Sequence, residues 1–485
     1  MRLDGPGMAI KPKFRNTVIP ATTTPGNNKE QTMKHSKTIC IAALAASFAV
    51  PAFAENPLIS GAFSADPSAH VFNGRVYVFP SHDIPAPPGS RNKKGFNMPD
   101  YHVYSSENLF DWTDHGVIVD QEKVPWVDGK SYSMWAPDCN FKNGKYYFYF
   151  PAHQKDGRNA IGVAVADKPE GPYVPQEKPI PGVNGIDPCI FIDDDGTPYL
   201  TWQAQGNVLV VARLKDNMIE LDSEVVTVNH NVPRNGLKEG PFMFKRNGKY
   251  YYSFPWCERQ TECICYCMGD SPMGPFEYKG KIMEQNTDCW TNHHSVVEYK
   301  GQWYFFYHHN DYCREHDVNR SICAEYLTFN EDGTIQQIVP TQRGVGITPA
   351  TNRIQIDRYS AIGDPNHVWV EYNRTEDPFA GWKTVFRNKD NYRRPIWIEY
   401  DRVDFGEKDL STAVVHVFAR IGGSGTIEFH ADAVDGELIA KIPVVAKDEW
   451  QDASAAVLKQ LKGVHNLFVT MPDGVLMHVD WVQFK

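Results

Sequence analysis

The sequence predicts an all-β chain, a five-bladed β-propeller followed by a β-sandwich, and three observations predict it. First, a Gly sits at the tip of an aromatic-rich hairpin five times, at Gly74, Gly144, Gly196, Gly248 and Gly301, spaced by 70, 52, 52 and 53 residues. Self-similarity at about this period marks sheets repeated around a ring or along an array. Second, almost nothing between 57 and 340 carries a helical period. Third, the repeat stops near 334–346, and from about 355 to 485 short alternating strands follow one another at sandwich spacing.

The chain of 485 residues is long for one domain, so a large domain and a smaller one are expected. Residues 1–54 stand apart. Met33 to Lys37 form a short basic start, Ile39 to Val50 an apolar run, and Ala52-Phe53-Ala54 a small-x-small cleavage site. This is the pattern of a secretory signal peptide cut after Ala54, and the apolar run is well short of the ~20 residues a membrane span needs. The expectation is a secreted or periplasmic protein, and no lipobox Cys follows the signal. Removing residues 1–54 takes away seven Lys/Arg and two Asp/Glu, so the net charge falls from −10 to about −15. An acidic body argues against nucleic acid and anionic membranes as partners and suits a neutral polymer or small molecule. Of ten Cys, nine lie beyond residue 54. Cys263, Cys265 and Cys267 alternate and share one strand face, where packing between blades is favoured over a metal cluster. No C-x-x-C zinc pattern is present, and disulfide pairing stays open.

Each repeat reads as a strand, a Gly or Asn-Gly turn and a strand of alternating aromatics such as Lys145 to Phe150. Outer-strand markers follow, giving five four-stranded blades within 55–346. Six to nine residues ahead of each tip lies a polar group: Asp66, Asp138, Asp187, Glu239 and the His293–His294 pair. Equivalent positions of propeller blades lie at equivalent distances from the axis, so the repeat gathers separated carboxylates around one pocket. Asp66 (SADPS), Asp187 (GIDPC) and Glu239 (KEGPF) each precede Pro directly or after one Gly. Pro donates nothing to a ladder, which suits a strand end facing a channel. A glycosidic bond is broken by two carboxyl groups on opposite sides of the anomeric carbon, one ionised and one protonated. A third carboxylate nearby raises the acid by like-charge repulsion. DDDG at 193–196 lacks the spaced oxygens and distal Glu of an EF-hand loop and reads as a hairpin turn.

These stretches resemble glycoside hydrolase family 43. The resemblance runs in order through NPLISGAFSADPS, YSMWAPDCNFKNGKYYFYFPA, GIDPCIFIDDDGTPYLTW, KEGPFMFKRNGKYYYSF and NHHSVVEYKGQWYFFYH, and covers the whole first domain. It implies Asp66 as general base, Glu239 as general acid and Asp187 as the residue that tunes and orients the acid, in single displacement with inversion. It also implies that Trp135 shapes the pocket floor, that His294 contacts sugar or holds a structural calcium on the axis, and that Arg320 bonds a sugar hydroxyl. Calcium normally prefers oxygen ligands, so that part rests on the resemblance alone. No cofactor is required. The expected substrates are plant cell-wall xylan and arabinoxylan oligosaccharides, with release of non-reducing β-1,4-xylose, α-L-arabinofuranosyl groups or both. The competing readings are an endo-arabinanase with an open groove, or a glycan-binding protein on a dead hydrolase scaffold. A retaining fructosidase is disfavoured by the lack of an Asn-Asp-Pro-Asn-Gly motif. The first-blade insertion over 81–102 would wall off one end of a groove and favours exo action.

The second module, over 355–485, resembles a family 6 carbohydrate-binding domain through IEYDRVDFG, GTIEFHADAVDGELIAKIPV and GVLMHVDWVQF. Trp369, Trp382, Tyr392 and Trp450 are its candidates for stacking on sugar rings. A module that only buttresses the propeller is the alternative.

Overall fold

Four of the five hairpin tips are turns in which two consecutive residues take positive φ: Asn73–Gly74, Asn143–Gly144, Asn247–Gly248 and Lys300–Gly301. Such type I′ turns match the right-handed twist of the flanking strands and favour Asn-Gly, so the motif closes each hairpin locally. The computed structural model describes residues 55–485 except 89, 91–94, 234–235, 286–288, 311–317, 374–380, 388–395, 421 and 474–475. The signal-peptide expectation over 1–54 and the candidate Tyr392 lie outside the described residues.

Blade 1 comprises β1 (Ser64–Phe72), β2 (Arg75–His82), β3 (Asp100–Ser106) and β4 (Thr113–Asp120), hydrogen-bonded in chain order. Blade 2 follows as β5 (Asp138–Lys142), β6 (Lys145–His153), β7 (Asn159–Ala166) and β8 (Val174–Pro175). Blade 3 is β9 (Gly185–Ile192), β10 (Pro198–Ala204), β11 (Val208–Arg213) and β12 (Val226–Thr227). In blade 4 the innermost strand is broken into β13 (Leu237–Lys238) and β14 (Phe242–Arg246), both paired with β15 (Lys249–Cys257) and followed by β16 (Cys263–Gly269) and β17 (Phe276–Met283). Blade 5 has three strands of its own, β18 (His294–Tyr299), β19 (Gln302–His309) and β20 (Ser321–Leu327). Its outer edge is covered by the start of the domain: Leu58 N–H donates to Ile322 and Ser64 N–H to Arg320, both at 2.9 Å. The ring is thus closed by its first and last segments, which leaves no free edge there.

Aromatic side chains fill the spaces between blades. Phe79, Tyr101, Phe148 and Phe150 are fully buried between blades 1 and 2. Cys263, Cys265 and Cys267 are buried as expected from their shared face, and all eight described cysteines are free thiols. Asp138 shows how a polar residue at a repeat position serves structure. It accepts from Ser68 Oγ and Ile190 N–H at 2.6 Å and meets His70 Nε2 at 2.6 Å, tying blades 1, 2 and 3 together. Apart from a single turn of 3₁₀-helix at Gln121–Lys123, the described residues hold no helix.

The C-terminal module is two six-stranded sheets, one built around Trp397–Asp404 and Val464–Asp473, the other around Thr412–Ala419 and Leu476–Phe484. Their inner faces share one apolar core that includes Ile398, Val415, Ile427, Phe429, Val469 and Val482. The stretch after 346, which reads as a connection in the sequence, already belongs to this module. Thr348–Pro349 pairs in parallel with Val403–Asp404, and Ile354–Gln355 with Val482–Trp481. Arg343 and Arg358 join the two modules: Arg343 pairs with Asp401 at 3.0 Å, and Arg358 with the buried Glu55 at 3.3 Å. Of the stacking candidates, Trp450 has one ring face covered by His416, 5.0 Å away and 5° from parallel.

Candidate active site

Asp66 and Asp187 owe their orientation to the backbone. They sit at φ +51° and +56°, in the left-handed region that non-Gly residues seldom enter. Each also lies in a break of register, between Ala65 and Ser68 in β1 and between Ile186 and Cys189 in β9. A bulge re-aims one side chain without ending the strand, and the following Pro67 or Pro188 has no N–H to leave unpaired there. Glu239 lies in the gap between β13 and β14. The three repeat positions therefore break their strands at the same level, and all three carboxyl groups line one cavity of about 240 Å³. Gly240 locks two of them together: its N–H donates to Asp187 Oδ2 at 3.0 Å. Its φ is +47°, and a Cβ there would lie 2.8 Å from His293 Nδ1, so this position requires Gly.

Around Asp66 the partners favour the ionised form. Arg320 Nη1 donates to Oδ1 at 3.1 Å, and Ser81 Oγ donates to Oδ2 at 2.5 Å. The Asp66 N–H donates to His308 Nδ1 at 3.1 Å, while His308 Nε2 lies 3.1 Å from the Thr291 carbonyl. That pattern fixes His308 as a neutral ring protonated at Nε2. Burial by itself would raise the Asp66 carboxyl, but Arg320 first, with His308, His293 and Ser81, holds it below the usual Asp range.

Glu239 is pushed the other way. Burial raises its carboxyl well above the ordinary Glu range, and the neighbouring carboxyls of Glu262 and Asp66 raise it further, with Arg320 opposing. Asp187 is likewise raised well above its ordinary range by burial, then by Glu239 and Asp66. The site thus holds one carboxyl whose neighbours favour the anion and others whose surroundings favour the proton, the division of labour that acid–base hydrolysis needs.

Sequence reasoning missed Glu262. It is fully buried, its Oε2 accepts the Asn292 N–H at 2.7 Å, and its carboxyl lies against that of Glu239. Burial, then the charges of Asp187 and Asp66, push it up to about 8. It stands outside the repeat, at the head of β16, and TECIC offers no signal for it. Asp83 was also missed: it grips Arg320 by two bonds, Nε to Oδ2 at 2.9 Å and Nη2 to Oδ1 at 3.0 Å.

Arg320 lines the cavity as the sequence suggested, but most of its donors are committed. Beyond Asp83 and Asp66 it reaches Thr291 Oγ1 at 3.1 Å, leaving one Nη2 proton without an acceptor among the described residues. Trp135 stands on the cavity wall, with its ring edge-on to His153 at 5.2 Å. Phe96 from the first-blade insertion approaches Trp290 at 6.3 Å between ring centroids, and both residues line the cavity.

His294 requires a correction. Its side chain is buried in the blade, with Nε2 2.6 Å from Ser253 Oγ and its ring on Phe305 at 5.4 Å. His293 lines the cavity instead. Strand side chains alternate, so a shift of one residue moves the functional face from one His to the other. Nor does His294 suit calcium: its surroundings are an aromatic ring and one hydroxyl, without the six to eight oxygens that ion gathers.

A five-bladed propeller whose cavity is lined by Asp66, Asp187 and Glu239, with Asp66 shifted toward the anion and Glu239 toward the acid, fits a glycoside hydrolase. The sequence model described as Glycosyl hydrolases family 43 matches residues 54–335, and that of the Carbohydrate binding module (family 6) matches residues 389–485. The chain belongs to family 43 and is a glycosidase. It is similar to the xylosidase/arabinosidase 43A of Humicola insolens, at 39% identity over 58% of this chain and 98% of that protein. Among solved structures, a β-xylosidase/α-arabinofuranosidase from a compost microbial metagenome, in complex with xylotriose, is 37% identical with a TM-score of 0.54. That match covers 59% of this chain and 98% of the other. An arabinoxylan arabinofuranohydrolase from Bacillus subtilis is 27% identical with a TM-score of 0.52, covering 89% of this chain and 97% of the other. This match is long enough to run through both modules.

Proposed function

We propose that this glycosidase acts from the non-reducing end of xylan and arabinoxylan fragments, releasing β-1,4-linked xylose, α-L-arabinofuranosyl groups or both with inversion. The observation that carries the reading is the cavity itself. At about 240 Å³ it is smaller than the roughly 300–1,000 Å³ that drug-sized ligands occupy, and it suits a single pentose. Phe96 and the exposed Trp290 stand together on its lining, and a bulky pair there favours an end of a chain over its middle. Xylose and arabinofuranose present similar hydroxyl and ring-oxygen geometry, and relatives named for both activities support the pair.

In the reaction, ionised Asp66 takes a proton from the attacking water while Glu239 gives its proton to the departing glycosidic oxygen. Asp187, held by the Gly240 N–H, positions the acid, and its repulsion with Glu239 disfavours ionising both. The residues need no cofactor, and no step runs through a metal. Residues 33–54 support export, so the proposed place of action is outside the cytoplasm, on polymer fragments.

The test is release of nitrophenol from 4-nitrophenyl β-D-xylopyranoside and α-L-arabinofuranoside by protein beginning at Glu55. Turnover of either sugar supports the reading and ranks the two. Silence on both, with cleavage inside arabinan chains, would replace it with endo action.

Two pH predictions belong to this site. Glu239 must stay protonated, so activity falls as pH rises through its raised pKa. Asp187 and Glu239 repel each other when both are ionised, so Asp187→Asn, which relieves that repulsion, should move the alkaline limb to lower pH. Glu262→Gln keeps an oxygen for the Asn292 N–H but removes a carboxyl beside the acid, and should move the same limb in the same direction. pH profiles of kcat/KM check both, and an unmoved limb in either variant removes that residue from the tuning of Glu239.

A further inference from the structure

Away from the active site, on the β2–β3 pair of blade 1, two histidines converge on one carboxylate. Ser81 pairs with Tyr101, which sets His82 opposite Asp100, and His102 shares the face of Asp100 two residues along β3. His82 Nδ1 lies 2.8 Å from Asp100 Oδ1, and His102 Nε2 lies 3.9 Å from the same oxygen. The three ligand atoms all fall within 4.8 Å of one another.

The decisive detail is the other nitrogen of His102. Its Nδ1 bonds to Asp114 Oδ1 at 3.1 Å, and that carboxylate oxygen is itself held by the Gly116 N–H at 2.7 Å. A ring that donates from Nδ1 presents an Nε2 lone pair, so a nitrogen lone pair and a carboxylate oxygen face each other across 3.9 Å. A carboxylate behind the distal nitrogen is how proteins orient ligating histidines. Around a tetrahedral zinc ion with bonds of about 2.0–2.1 Å, ligand atoms stand about 3.3 Å apart. The two separations here bracket that value, so small side-chain movements would complete the set.

We propose that His82, Asp100 and His102 form a binding site for a divalent transition metal, with Zn²⁺ the best fit, and that Asp114 orients His102 within it. Two imidazoles and a carboxylate suit Zn²⁺ over Ca²⁺ or Mg²⁺, which prefer all-oxygen shells. Three protein ligands leave one position for water. The site also has an approach from solvent, because His82, His102 and Asp114 line a cavity of about 480 Å³. The metal would cross-link β2 to β3. Asp83, which follows His82, grips Arg320, and Tyr101, between the two β3 ligands, bonds the Trp135 carbonyl at 2.7 Å. The metal would thus brace the strands behind the catalytic cavity.

The experiment uses protein beginning at Glu55, without a histidine tag, stripped with EDTA and titrated with Zn²⁺ against a chromophoric chelator. Thermal unfolding and the visible spectrum of the Co²⁺ form are followed in parallel. The wild type is expected to bind a single equivalent competitively, to unfold at higher temperature with metal, and to give tetrahedral Co²⁺ bands. His82→Gln and His102→Gln should lose all three responses. Should either variant fail to fold in EDTA, Asp114→Asn carries the test, since loss of the orienting carboxylate should weaken affinity by about 10–100-fold. Absence of binding by the wild type overturns the proposal. So does full retention of zinc and Co²⁺ bands in the folded His variants, which would place the metal on the thiols, or undiminished affinity in Asp114→Asn.

Discussion

Glu239→Ala is expected to lower kcat/KM on xylo-oligosaccharides by about 10²–10⁴-fold and to cost far less on 4-nitrophenyl glycosides. The difference follows from what the acid does. An unactivated sugar leaves as a strongly basic alkoxide unless a proton reaches the glycosidic oxygen, and Glu239 is a cavity carboxyl that burial, Glu262 and Asp66 shift toward the protonated form. Nitrophenolate leaves without that help. Steady-state kinetics on both substrate types check the prediction, and equal losses would contradict the role. The variant also removes the like-charged neighbour of Glu262, so whatever alkaline limb survives on the activated substrate reports the remaining carboxyls rather than the acid.

Asp66→Ala is expected to abolish turnover on both substrate types alike, by about 10⁴-fold or more. Every substrate needs an activated water, however good its leaving group. The charge arrangement makes Asp66 suited to this and hard to replace. Arg320 reaches it at 3.1 Å and Ser81 at 2.5 Å, and these partners hold it ionised in a buried place where a carboxyl would otherwise take up a proton. Asp66→Asn keeps one oxygen for Arg320 and turns its amide nitrogen to Ser81 Oγ, which can accept, and so separates loss of the base from loss of packing. It should fold as well as the wild type and be as inactive as Asp66→Ala. Substantial activity in Asp66→Asn would show that the water is activated by another group. On the acid side of the profile, activity should persist below the ordinary Asp range, because the Asp66 pKa is depressed and its function is lost only as pH falls through that lowered value.

Much of this site was legible in the sequence because it is built on a repeat. Asp66, Asp187 and Glu239 occupy matching positions ahead of matching turns, and Pro after each marks a strand that breaks where it meets the channel. A repeat position alone does not decide between chemistry and structure: Asp138 occupies one too and ties three blades together. The choice between His293 and His294 turned on strand parity at the start of β18, which a register difference of one residue inverts and which no local pattern reveals. Glu262, Asp83 and Trp290 were illegible for another reason. They lie outside the repeat positions and converge on the cavity through long-range packing, and their local sequences resemble ordinary strand ends. The two-residue strands at Thr348–Pro349 and Ile354–Gln355 are too short to carry any period, so the boundary of the second module read later than it falls.

The central claim is a single displacement in which Asp66 drives water onto the sugar from the side opposite Glu239. Proton NMR of 4-nitrophenyl β-D-xylopyranoside during its first moments of hydrolysis, before mutarotation, tests this most directly. Appearance of α-xylose first is the expected result. Appearance of β-xylose first would mean a covalent sugar–enzyme intermediate and would overturn the assignment of Asp66 as the base.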